Sequence, residues 1–336
     1  AGYTYRPVRP RSPETLRRQA IESLENSGCH EITLSSLSTS DYRGLPELAD
    51  AMLDYCAPRK INLSLPSLRA DNFSRDLMLR LQQVRKSGLT FAPEAGTQRL
   101  RDAINKNVTE QEILDTCAIA FEGGWNNVKL YFMLGLPTET DEDVLGIARL
   151  AGLVRSCYLS LPKEKRAPGL RITVSASVFV PKNFTPFQWA AQLRGGEVAR
   201  RQQLLKHELG KIKGVDFKYH AVDLSYIEAV FARGDRRLAD VLERAWRLGC
   251  RFDGWSEHFH FDRWMEAFAA CGLDPAFYAN RKRSYDELLP WAFIDAGVTQ
   301  AFLRKESERA QRAETTPDCR GGCRGCGLME VCGVCG

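Results

Sequence analysis

Five apolar, β-branched segments recur along the first half of the chain: EITLSSL (31–37), KINLSLPSL (60–68), LTFAPEAG (89–96), NNVKLYFMLGLP (126–137) and LRITVSASVFVP (170–181). Helical signals fill the gaps between them. Ser12 is placed as an N-cap with Pro13 at the first helical position and Gly28 as the stop, and helical patterns follow over LPELADAMLDYC and SRDLMLRLQQVRKSG. Thr109 and Glu112 form a capping-box pattern, and Thr140 can cap DEDVLGIARLAGLV. Alternating βα units imply a parallel sheet, open or rolled into a barrel, whose strands are buried on both faces. No G-x-G-x-x-G follows a strand, which disfavours a dinucleotide-binding open sheet.

The strand exits share a polar chemistry: SSLSTSD, LPSLRAD, APEAGTQR, LGLPTET and VFVPKNFTPF. Ligand sites of barrels and open α/β sheets gather at that edge. Beyond residue 195 the pattern turns mainly helical, interrupted by a short strand, VDFKYHAV (215–222), and the chain closes on a cysteine-rich tail after ETTPD. The 336 residues are 44% hydrophobic and 26% charged, enough for a large core, and no apolar run is long enough for a membrane span. A net charge of +5 spread over this length reads as a solvated surface, so a nucleic-acid partner has little support. Thiols clustered in a chain with no leader-like opening favour reduced, metal-holding cysteines and a cytoplasmic setting.

LGLPTET, about 35 residues after FAPEAGTQRLR, followed by FVPKNFTPFQW (179–189) and FDGWSEHFHFDRWMEAF (252–268), resembles the radical S-adenosylmethionine (SAM) superfamily, in particular its members linked to a cobalamin-binding domain. The resemblance implies an α/β fold: a partial parallel (β/α) barrel over 1–194, a helical region over 195–314 and a metal-binding tail over 315–336. That family usually has Pro-His where this chain has Asn183-Phe184. Its cluster loop, C-x3-C-x2-C, follows the first barrel strand and is succeeded by a segment similar to AGYTYRPVRPRSPE. The resemblance therefore implies a piece that starts just after that loop, lacks the first strand and is inactive alone. In the intact enzyme it implies a 4Fe-4S cluster, SAM split to a 5′-deoxyadenosyl radical, possible cobalamin, and a reductant such as flavodoxin or ferredoxin. The alternatives are a methylthiotransferase-like enzyme acting on RNA or protein, and a non-catalytic zinc or nucleic-acid module. The substrate is not legible.

Among the residues matched, Ser36, Ser38 and Asp41 are candidates for the SAM ammonium, or else form a plain polar turn. Glu94 could accept hydrogen bonds from the ribose or ammonium, and Arg99 or Arg101 could pair with the carboxylate; alternatively Glu94 caps a helix and the arginines are solvated. Gly135 would admit a flat ligand close to the backbone, and Pro137 would stiffen the turn. Lys182, Thr185 and Phe187 sit where substrate would enter, although Phe187 and Trp189 suit core anchoring better. Glu257, His258, His260 and Asp262 tempt as metal ligands, but an i, i+2 pair faces different sides of a helix, so packing is expected before metal.

The tail, DCRGGCRGCGLMEVCGVCG, places Cys319, Cys323 and Cys326 at C-x3-C-x2-C spacing, with Cys332 and Cys335 beyond. Six glycines between 321 and 336 suit thiolates converging on a compact iron–sulfur cluster. The two C-x-x-C pairs lie too close for an ordinary zinc ribbon, so zinc ranks second. Its position argues for an accessory cluster rather than the radical-generating one.

Overall fold

The computed structural model describes Tyr3 and residues 9–36, 39–64 and 89–328. The first unit is α1 (Pro13–Ser27), β1 (Glu31–Thr33), α2 (Leu45–Cys56) and β2 (Asn62–Ser64). Ser12 Oγ accepts from the Thr15 N–H at 3.2 Å, and Gly28 ends α1 at φ 66°, a left-handed stop that glycine adopts without strain. β1 and β2 pair in parallel, Glu31 beside Asn62. The two helices bury Leu24, Leu48, Met52 and Cys56 against Leu63. The helix expected over SRDLMLRLQQVRKSG, and the outer half of the second strand, lie outside the described residues.

The second unit runs β3 (Leu89–Glu94), α3 (Gln98–Ala103), α4 (Glu110–Glu122), β4 (Asn127–Leu134), α5 (Asp141–Ser160), β5 (Arg171–Val178), α6 (Gly195–Gly210) and β6 (Val215–Tyr219). Its four strands are all parallel, in the sequential order β3-β4-β5-β6. Right-handed crossovers in a monotonic order put the connecting helices on one side of the sheet. That side is the core: Ile113, Phe121, Val144, Leu150 and Leu205 from α4, α5 and α6 pack on Val128, Leu130, Phe132, Ile172 and Val174.

Two expectations change here. The parallel sheet does not stop near residue 194: α6 and β6 extend it, and β6 pairs with β5 from Ile172–Val215 to Ala176–Tyr219. Nor are the strands apolar on both faces. The side opposite the helices carries Lys129, Tyr131 and Met133 in register with Thr173, Ser175 and Ser177, and Lys129 Nζ donates to the Tyr131 hydroxyl at 2.5 Å. One helix-covered face and one polar face is an alternation that apolar composition concealed.

The remaining helices are α7 (Val222–Arg233), α8 (Leu238–Arg247), α9 (Phe261–Ala270), α10 (Pro275–Ala279) and α11 (Gln300–Gln311). Arg233, fully buried, joins this region to the exit of β5: Nε donates to the Tyr278 carbonyl at 2.8 Å, and the guanidinium also reaches the carbonyls of Ala190 and Arg281. Desolvation lowers its pKa to about 10. No helix among the described residues is long and apolar enough to cross a membrane.

Candidate functional site

The exits of β3, β4 and β5 meet at one edge of the sheet, where Ala95, Leu100, Leu136 and Phe179 form a small apolar cluster. β3 ends irregularly. Its register with β4 shifts between Phe91 and Glu94, with Pro93 in the shifted stretch, and Glu94 takes φ 67°. Proline within a sheet favours such bulges, and a bulge re-aims the side chain that follows it. A left-handed non-glycine residue costs roughly 1–3 kcal/mol and persists only where its surroundings impose it.

The surroundings are specific. A Cβ on Gly96 would lie 2.3 Å from the Asp143 carbonyl oxygen and 2.3 Å from the Ile147 nitrogen, so the turn after β3 rests directly on the backbone of α5. Gly146 makes the reciprocal approach, its notional Cβ 2.9 Å from Gly96. Asp143, nearly fully buried, accepts from the hydroxyls of Thr97 and Thr140, from the Thr140 N–H at 2.8 Å and from Arg99. Burial pushes its pKa up, but these hydrogen bonds outweigh burial and hold it below the ordinary aspartate value.

The β4 exit is equally fixed. Gly135 adopts φ 87°, and its N–H donates to Glu139 Oε2 at 2.8 Å. Glu139 is buried and pairs with Arg201 at 2.5 Å. Desolvation dominates and raises its pKa despite the Gly135 and Arg201 hydrogen bonds. Pro137 stands between Leu136, which is buried, and Thr138, at φ 68°.

Glu94 does not cap α3; Thr97 does, accepting from the Leu100 N–H. Its carboxylate instead meets Lys106 Nζ at 3.2 Å. Arg99 commits its guanidinium to Asp143 and to the Thr138 carbonyl at 2.9 Å. Arg101 is fully buried rather than solvated; it donates to the Ala95 carbonyl at 3.1 Å, and its Nε has no partner. A second buried orphan, Asn183 Oδ1, lies just past β5. Lys106 and Glu139 were not singled out by the sequence reading. The first sits between Asn105 and Asn107, a turn signature that could have flagged the loop, and both asparagines are left-handed at φ 53° and 51°.

Ser36 and Asp41 flank a turn after β1, where Ser36 Oγ meets Thr39 Oγ1 at 3.3 Å; Ser38 lies outside the described residues. Phe187 stacks edge-on against Phe179 and Trp189 against Tyr285, so both act as packing anchors. Lys182 pairs with Glu228, and Thr185 donates to the Lys182 carbonyl at 2.7 Å. Around Glu257, His258, His260 and Asp262 no metal-holding group forms among the described residues. Phe252 and Trp255, in the same motif, are largely exposed instead of packed.

The tail folds back on the helical region. The Cys326 carbonyl accepts from the Thr299 N–H at 2.9 Å, and its side chain is buried with Trp189, Trp291, Phe302 and Leu303. Cys319 and Cys323 are exposed. Among the described residues no three His, Cys, Asp or Glu side chains gather to hold a metal ion, and Cys332 and Cys335 lie outside them. The donor chemistry suits a cluster, but the three described thiols are not converged on one. The SAM side fits better: a strained carboxylate, a lysine and an orphaned guanidinium nitrogen share one strand exit.

Residues 1–151, just under half of the chain, match the model of the Radical SAM superfamily. A curated relative, the "Uncharacterized protein MJ0966" of Methanocaldococcus jannaschii, is 31% identical over 240 residues, which cover 71% of this chain and 49% of the relative. The chain thus spans about half the length of that relative. Among solved structures, "The archaeal Methanocaldococcus infernus Elp3 with N-terminus deletion (1-46)" aligns with a TM-score of 0.39 at 14% identity, covering 62% of this chain and 52% of that one.

Proposed function

We propose that the chain supplies the SAM-binding βα framework of a radical SAM enzyme. In that superfamily a 4Fe-4S cluster and SAM together supply a hydrogen-abstracting 5′-deoxyadenosyl radical, with electrons from a reductant. The residues of this chain would bind and orient SAM at the sheet edge: Glu94 as acceptor for its ribose hydroxyls or ammonium, and the Gly135–Pro137 exit as a surface close to the backbone, with Ser36 and Asp41 after β1 as further candidates and Ser38 outside the described residues. The observation that carries this reading is the bulged, left-handed Glu94 at the end of β3, inside the matched domain. Residues held in sparsely populated backbone conformations cluster at ligand sites, and that supports the reading.

Calorimetric titration with SAM tests it. The chain should bind SAM, and Glu94→Gln, which keeps the shape but removes the charge, should weaken binding about tenfold, the loss of one charge-assisted hydrogen bond. Unchanged affinity in Glu94→Gln, or no binding by the wild-type chain, would overturn the reading. A link to cobalamin rests on the sequence resemblance alone.

We assign the tail an accessory metal site built on Cys319 and Cys323. Gly322, Gly325 and Gly327 all take positive φ, and the Gly325 N–H points at Cys323 Sγ at 3.4 Å, as backbone donors do around a metal-bound thiolate. A metal would have to draw the remaining ligands in.

A further inference from the structure

A groove of about 570 Å³ lies on the helix-covered side of the sheet, between the second half of α5 and the turn from α6 into β6. Both elements lead into the starts of β5 and β6, so the groove sits toward the edge of the sheet opposite Glu94 and Gly135. Four cations line it, Arg149, Arg155, Lys211 and Lys213, around an apolar floor of Leu153 and Ile212. Arg149 is answered by Glu142 and Lys211 by Glu208, each pair at 2.6 Å. Among the described residues no carboxylate pairs with Arg155 or Lys213. Arg155 Nε donates to the Lys213 carbonyl at 2.9 Å, which ties the two elements together and holds the half-buried guanidinium at their junction.

Charge alone would make only a solvated face; the floor adds something else. Gly152 stands in the interior of α5, where glycine is a poor helix former. Packing does not require it, because a Cβ there would meet only Ile212 Cδ1, at 3.8 Å, an ordinary contact. The backbone does not require it either, since Gly152 is not among the left-handed residues. What the missing side chain does is leave the floor bare between Ile212 and Leu153, which is 40% exposed.

We propose that this groove binds a nucleoside phosphate, free or carried in a strand, with the phosphate between Arg155 and Lys213 and the base on the bare floor at Gly152. Phosphate oxygens only accept and these cations only donate, and a guanidinium fork matches a phosphate with two parallel bonds. A base is a flat, largely apolar body that a floor without a side chain admits closely. The volume is that of an ordinary small-molecule site. The Arg149 and Lys211 pairs are exposed, so they open at little cost to meet further phosphate oxygens.

Calorimetric titration of the full chain at low salt, with ADP, inorganic phosphate and a short single-stranded oligoribonucleotide, tests the assignment. ADP should bind one-to-one, about tenfold or more tighter than inorganic phosphate, and saturating SAM should not displace it. Arg155→Ala and Lys213→Ala should each weaken ADP about tenfold, the loss of one charge-assisted contact. Gly152→Leu fills the floor and should weaken ADP more than about 100-fold, while its thermal midpoint stays level or rises because leucine is the better helix former. That second readout separates a blocked groove from a misfolded chain. An oligoribonucleotide that binds tighter than ADP, with the same loss in Gly152→Leu, would make a strand the source of the nucleotide. No binding of ADP or oligoribonucleotide by the wild type, equal affinity for inorganic phosphate, displacement by SAM, or full affinity in Gly152→Leu would each overturn the proposal, and all of them leave the SAM reading standing.

Discussion

The turn after β3 and the cysteine tail both carry cofactor-type side chains, and the fold treats them in opposite ways. The turn is over-determined. Gly96 lies against the backbone of α5, Asp143 gathers hydrogen bonds from three residues, and Glu94 is held in a conformation it would not choose. The tail is anchored at one point: Cys326 joins the apolar cluster around Trp291, while Cys319 and Cys323 stay exposed on a glycine-rich loop. A site for an organic cofactor has to be shaped before the ligand arrives, because its hydrogen bonds are directional and each strays at a cost. Thiolates on a loose loop can be gathered by the metal, since metal–ligand bonds supply the ordering free energy themselves.

That contrast can be broken most forcefully at Gly96. Gly96→Ala forces a Cβ into backbone that cannot retreat, and urea unfolding should show a loss of about 3 kcal/mol. A loss near zero would mean that the turn is not pinned to α5.

Asp143→Asn comes next, at about 2 kcal/mol, because the buried carboxylate's charge-assisted bonds to Thr97, Thr140 and Arg99 are weakened or lost. Its pH signature is directional. A carboxyl whose folded pKa is depressed stabilises the fold at pH above the unfolded aspartate value of about 3.9, and that contribution fades as pH falls through the lower folded value. Stability of the wild type should therefore fall more steeply below pH 4 than that of Asp143→Asn.

The tail should divide internally and yield the smallest effects. Cys326→Ser, which buries a hydroxyl among aromatic rings, should cost about 1 kcal/mol, whereas Cys319→Ser and Cys323→Ser should cost less than about 0.5 kcal/mol. Metal content should run the other way. After anaerobic reconstitution with iron and sulfide, the Cys319 and Cys323 variants should lose iron and its absorbance. Zinc at one equivalent with no iron uptake would replace the cluster by a zinc clip, and no metal in either arm would remove the site.

Much of the architecture was legible from local chemistry. Ser12, Pro13 and Gly28 bracket α1, Thr109 and Glu112 close a capping box, and β3, β4 and β5 fall inside their expected segments. These signals act within a few residues, so no knowledge of the rest of the fold is needed to read them. β6 was visible as a strand but not as the fourth member of the sheet, because nothing in VDFKYHAV specifies which edge it will pair with.

The candidate site divides along the same line. Its location at the strand exits, and Glu94 and Gly135 as its members, follow from the alternation of strand and helix and from the punctuation at each strand's end. Which cation faces Glu94 does not. Arg99, five residues away, turns to Asp143 on a different helix, while Lys106, twelve residues away, arrives across the turn. The loop bearing it is tied to Thr316, 211 residues beyond Asn105. Local sequence determined the elements, their caps and the edge at which chemistry collects, since backbone preference and periodicity are short-range. Only the tertiary structure decided which charges are spent on the fold and which remain to meet a ligand, because ion pairs form between side chains that chain folding, not sequence proximity, brings together.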